Sequence, residues 1–209
     1  MKRCDIFYCS LFVLMILVGF GGGPKQVRVP DSLRVTEPIV VDHPKKQAVF
    51  TPVFVAPPFL GTSYIGFKEA LAFKESRGDY FTINALGYMG KYQFGHGTLE
   101  LLGVNNTRDF LFDPELQEKA FYTNLSRNKW ILRKDLKRFV GKRIAGVHVT
   151  ESGVLAAAHL AGPGNVKKFL RSYGAKDVSD EFGTSIMEYM RKFSGYDVSH
   201  IPSVRNPRI

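Results

Sequence analysis

Apolar and polar positions change rhythm several times along the chain, and each change marks an element. Residues 6–20 are almost all apolar, with Cys9 and Ser10 as interruptions. From residue 64 the spacing becomes helical. Phe67, Leu71 and Glu75 stand at i, i+4 and i+8, so a helix over 64–75 carries an apolar stripe that ends on a carboxyl group. A segment punctuated by Gly78, Gly87 and Gly90 follows, with a small hairpin predicted near residues 82–93. Residues 96–102 read as a short helix stopped by Gly103. Asp113-Pro114 is a start signal: a capping aspartate, proline at the first helical position, and Glu115 and Glu118 in the first turns. That helix carries Leu116, Ala120, Phe121 and Leu125 or Asn124 on one side.

Residues 130–140 read as a separate basic amphipathic helix. Leu132, Leu136, Phe139 and Val140 face inward, and Arg133, Lys134, Lys137 and Arg138 face out. Such a face is ordinarily just solvated; attraction to an anionic polymer is the functional alternative. Thr150 or Ser152 caps an apolar helix through 154–160, Gly162-Pro163-Gly164 breaks it, and a helix restarts over 165–172. A last helix over 184–193 carries Ile186, Met187, Tyr189, Met190 and Phe193. Some six helices with little strand signal predict a mainly α domain.

Composition changes the picture at the N-terminus. Lys2 and Arg3 precede the apolar run, and Gly21-Gly22-Gly23 follows it, so residues 1–23 read as a secretory signal peptide, with an uncleaved N-terminal anchor as the alternative. Either implies export to the periplasm or cell envelope. Seven of the eleven prolines fall within residues 24–60, which therefore read as an extended linker, leaving 61–209 as the folded domain. The two cysteines, Cys4 and Cys9, both lie in the leader. The remainder has no disulfide, zinc-thiolate site or cysteine nucleophile, and no metal or other cofactor is expected. A net charge of +10 suits an anionic envelope or polymer. Export disfavours nucleic acid as the partner.

Glu75 is the residue where chemistry is expected. A carboxyl at the end of an inward stripe is partly desolvated, which suits it to hold and donate a proton. The alternative is a surface glutamate paired with Arg77 or Lys74. Four segments bear on the choice: Glu75-Ser76; Gly90-Lys91-Tyr92-Gln93-Phe94; Ala158-His159-Leu160-Ala161-Gly162-Pro163-Gly164-Asn165-Val166; and Tyr189. In this order they resemble the lysozyme-like domain of soluble-type lytic transglycosylases, relatives of goose-type lysozymes. They match that family's Glu-Ser pair, its Gly-Leu-Met-Gln-Ile segment, its Ala-Tyr-Asn-Ala-Gly-Pro-Gly-x-Val segment and its C-terminal tyrosine. The likeness covers most of residues 64–193. The chain departs from the family at Lys91-Tyr92, where Leu-Met is usual, and at His159-Leu160, where Tyr-Asn is usual.

The resemblance implies a lysozyme-like helical domain that cleaves the β-1,4 bond between N-acetylmuramic acid and N-acetylglucosamine in peptidoglycan, forming a 1,6-anhydro product. Glu75 would be the general acid and then the base. Ser76, Gln93, Tyr189, His159 and Tyr92 would contact substrate, and Tyr80 and Tyr88 would offer rings to sugar faces. The implied partners are peptidoglycan glycan strands, with membrane or envelope association through the N-terminus. A hydrolytic muramidase would need a second group to activate water, for which Asp79, Glu100 and Glu151 are the candidates. A non-catalytic peptidoglycan-binding module is the remaining alternative, motivated by His159-Leu160.

Overall fold

The structure, a computed structural model, describes Asp31 and residues 60–181 and 183–209. The leader and almost all of the proline-rich linker lie outside the described residues. What is described is mainly helical, with one small two-stranded antiparallel sheet. Among the described residues, none of the helices is long and apolar enough to cross a membrane.

Helix α1 (Tyr64–Ser76) begins at Ser63, whose side chain accepts from the Gly66 N–H, and ends where Arg77 turns left-handed at φ 60°. Phe67 and Leu71 are fully buried, so the stripe faces inward as its spacing predicts. Helix α2 (His96–Leu102) ends on left-handed Gly103 as expected. Helix α3 (Thr107–Phe112), capped by Asn106, is short and lacks a full apolar period; the sequence reading passed over it.

Asp113 caps the next helix by accepting from the Leu116 N–H, with Pro114 in the first turn. That helix, α4 (Pro114–Phe139), runs unbroken for 26 residues. The expectation of two separate helices is therefore corrected: no glycine or proline interrupts residues 115–139, so the hydrogen-bond ladder simply continues. Leu132, Leu136 and Phe139 are buried and the four predicted cations are exposed, whereas Val140 lies beyond the helix end and is 45% exposed.

The strands also differ from expectation. Residues 82–94 form only isolated bridges, Ile83 with Met89 and Met89 with Phe94. The ladder is instead β1 (Arg143–Ile144) with β2 (Val147–His148), closed by left-handed Ala145 and Gly146.

Helix α5 (Glu151–Ala161), capped by Thr150, is buried along most of its length. It packs on α4, on α6 (Pro163–Arg171) and on α7 (Ile186–Lys192). Its contact with α7 is close enough that a Cβ at Gly153 would stand 2.5 Å from the Met190 carbonyl oxygen. Only Gly162, at φ 78° and ψ 150°, separates α5 from α6. Helix α7 opens with a capping box between Ser185 and Glu188. The chain after it returns to α4, where Ser126 donates to the Pro202 carbonyl and Val198 and Ile201 are buried.

Candidate active site

Glu75 sits one residue before the end of α1, half-buried, on the wall of a cleft of about 220 Å³. The cleft is also lined by Asn84, Leu86, Tyr88, Gln93, His159, Leu160, Ser179, Asp180 and Glu181. The phenol of Tyr189 donates to Glu75 Oε1 at 2.5 Å across 114 residues of sequence. Tyr189 is 2% exposed, and burial followed by the Glu75 charge pushes its ionisation well above the ordinary tyrosine value. It therefore remains a neutral donor throughout the working pH range. A neighbouring groove of about 390 Å³ shares Tyr88, Gln93, His159 and Leu160 with the first and continues to Asn124, Arg127 and Asn128. Asn128 is 1% exposed, and its Oδ1 has no hydrogen-bond partner among the described residues.

Gln93 owes its place to a tightly folded loop. Its backbone is left-handed at φ 49°, uncommon for a residue with a side chain, and its Nε2 donates to the Gly90 carbonyl at 2.9 Å. Gly90 is itself at φ 76°, and a Cβ there would lie 2.3 Å from Gln117 Oε1, so the position demands glycine. Gln93 borders both grooves.

His159 also borders both, but its polar atoms are occupied. Nε2 lies 2.8 Å from the Tyr92 carbonyl, which can only accept, so Nε2 carries the proton. Nδ1 is then left to accept from Asn124 Nδ2 at 3.3 Å. The ring meets Phe94 and Phe121 edge-on. His159 thus offers the cleft a ring edge and holds the Tyr92 backbone.

Three expected substrate contacts lie elsewhere, the first being Tyr189, which borders neither groove and spends its hydroxyl on Glu75. Tyr92 is 0% exposed, stacked on Phe121 with centroids 4.0 Å apart and its hydroxyl donating to Glu118. A side chain so enclosed cannot touch a ligand in the cleft, and the expectation is corrected. The Ser76 hydroxyl donates to the Lys91 carbonyl at 2.8 Å and borders neither groove, so it ties α1 to the glutamine loop. Of the tyrosines considered for sugar stacking, Tyr88 is exposed on the rim of both grooves, while Tyr80 donates to Glu118.

The three acids considered for water activation are spent on local structure. Asp79 Oδ1 accepts the Phe81 N–H, Glu100 pairs with His96, and Glu151 pairs with Lys129. The acids that do share the cleft with Glu75 are Asp180 and Glu181. Asp180 also accepts the Thr184 N–H at 2.7 Å. Sequence reasoning missed both because they stand in a loop without periodicity, at the wall facing Glu75 only after α6 and α7 have packed.

A cluster of charge gathers around buried Lys91. Lys91, 4% exposed, donates from Nζ to Glu69 at 2.7 Å, Glu118 at 2.9 Å and Tyr80 at 3.1 Å. Burial pulls the Lys91 ammonium down, but these partners outweigh it and hold it above the ordinary lysine value. Burial likewise pushes Glu118 up, and Lys68, Tyr80, Lys91 and Tyr92 overcome that to bring it down to about 2. Both groups are therefore charged at neutral pH. Among the described residues no group of His, Cys, Asp and Glu side chains has the arrangement of a metal site.

No protein-family model, curated protein or solved structure matches the chain.

Proposed function

We propose that this chain is an exported peptidoglycan lytic transglycosylase with a lysozyme-like helical domain, acting on glycan strands through Glu75. The observation that carries the reading is the constellation in the cleft. A half-buried glutamate accepts a tyrosine O–H from a distant helix, beside a glutamine amide held in a left-handed loop. Resemblance of the four sequence segments to the transglycosylase domain supplies the substrate class.

In this reading the Glu75 carboxylic acid gives its proton to the glycosidic oxygen as the bond to the muramic C1 breaks. The resulting carboxylate then takes the proton of the muramic C6 hydroxyl while O6 bonds to C1. The 1,6-anhydro ring closes, no water is consumed, and Glu75 ends protonated as it began. Tyr189, as a neutral donor to Oε1, fixes the orientation of the carboxyl through both steps. Gln93 and the rim of Tyr88 hold the sugars. One carboxyl suffices, in contrast to the paired carboxyls of most glycosidases.

Incubation of the mature domain with purified sacculi, followed by mass spectrometry of the released fragments, tests this. Anhydro-ended muropeptides are expected from the wild type and none from Glu75→Gln. Release that persists in that variant, or no release at all by the wild type, rejects the proposal. The presence of Asp180 and Glu181 in the same cleft favours a second, hydrolytic reading, in which one of them takes a proton from water as it attacks C1. Reducing ends would then appear, and Asp180→Asn would lower their share relative to anhydro ends, measured on the same spectra.

A further inference from the structure

Stability alone does not explain why charge rather than apolar volume stands at Lys91 and Glu118. A buried ion pair generally contributes no more than apolar side chains of the same volume. What distinguishes this cluster is where its bonds lead. The Lys91 N–H donates to Gln117 Oε1 at 2.8 Å, and the Lys91 carbonyl accepts from Ser76, the residue after Glu75. Gln117 Nε2 in turn donates to the carbonyls of Tyr80, Phe110 and Leu111. The next residue, Tyr92, is held by its hydroxyl on Glu118 and by its carbonyl on His159. Both residues leading into the left-handed turn at Gln93 thus have side chain and backbone fixed. The same bonds fix the end of the helix that carries Glu75.

Apolar residues at 91 and 92 would keep the backbone bonds to Gln117, Ser76 and His159 but lose the side-chain bonds to Glu69 on α1 and Glu118 on α4. Directional bonds to α1 and α4 permit one backbone course, and a left-handed non-glycine residue persists only where its surroundings impose it. We propose that Lys91 and its counter-ion Glu118 are positioning residues, which hold Gln93 in its left-handed turn and keep its amide in register with Glu75 across the cleft. They touch no substrate and act through Gln93.

The test compares the wild-type domain with Lys91→Met/Glu118→Gln, which removes both charges together, and with Glu118→Gln alone in case the double variant fails to fold. One arm is hydrogen exchange followed by NMR. The backbone amides of Gln93 and Phe94, which donate to the Gly90 and Met89 carbonyls, should exchange about tenfold faster in either variant. Amides in the middle of α5 should keep their wild-type rates. Unchanged exchange at Gln93 and Phe94, or an equal rise in α5, overturns the proposal. This arm does not depend on the transglycosylase reading.

The second arm rests on that reading and measures fragment release from sacculi in a double-mutant cycle with Gln93→Ala. The charge-removing variant is expected to lower the rate about tenfold when Gln93 is present and to cost nothing further in the Gln93→Ala background. Equal losses in both backgrounds mean a general structural role and overturn the proposal. A wild type that releases nothing rejects the proposed function, and the exchange arm then decides the positioning role on its own.

Discussion

Tyr189, buried on α7, meets Glu75 at 2.5 Å at the wall of the cleft, joining elements from opposite ends of the domain. Replacing Tyr189 with Phe removes one donor and leaves the ring packing on Phe193 in place. A hydrogen bond to a charged group is worth roughly 1.5–3 kcal/mol, so loss of that orientation at the reacting group should lower fragment release by roughly tenfold to a hundredfold. The urea midpoint should move little, because Glu75 is only half-buried and water can take the vacated bond. A large loss of stability with unchanged specific activity of the folded fraction would show that Tyr189 serves packing alone. The resemblance implied a substrate contact for Tyr189, and its direct bond to Glu75 was not foreseen. No local pattern announces a contact across 114 residues, and periodicity alone favoured a surface ion pair for Glu75.

At the scale of elements, the capping residues made the fold readable. Asp113-Pro114, Thr150 and Gly103 each stand at the boundary that their chemistry dictates. The misreadings have equally local causes. Residues 126–129 (Ser-Arg-Asn-Lys) look like a polar break, yet Ser126 and Asn128 are buried and Ser126 bonds the returning C-terminal segment, so the helix passes straight through them. Tyr92 looked like a cleft aromatic because its enclosure depends on Phe121 and Glu118, both on α4. The sharpest joint between elements is Gly162, whose φ of 78° with ψ of 150° is a region essentially reserved for glycine. No atom lies within 4 Å of a Cβ built there, so a substitution meets no steric obstacle beyond its own backbone. Gly162→Ala should therefore cost about 1–3 kcal/mol in urea unfolding through backbone strain alone. It should also tilt α6 and its Pro163 against the second groove, which Pro163 lines. Wild-type stability in this variant would mean that the α5–α6 joint relaxes into an ordinary conformation.

For the molecule as a whole, the Lys91–Glu118 cluster joins α1, the glutamine loop and α4, so its charge state bears on global stability. Glu118 is brought down to about 2 in the folded chain by Lys68, Tyr80, Lys91 and Tyr92 against the opposing effect of burial. Its ordinary value is 4.5, so the unfolded chain binds the proton more readily than the folded one. A depressed carboxyl contributes stability that is fully present above the unfolded value and is lost as pH falls through the folded one. The expected window is thus between about pH 4.5 and about pH 2. Within it, the loss is on the order of 3 kcal/mol. Urea unfolding at steps across that window should show a fall in the midpoint that is steeper in the wild type than in Glu118→Gln. The variant starts lower at neutral pH because its neutral amide holds Lys91 and Lys68 less strongly. Lys91 stays charged throughout, since its partners hold it above its ordinary value, so the pH response belongs to the carboxyl side of the cluster. Parallel curves for wild type and variant would place the acid sensitivity outside Glu118.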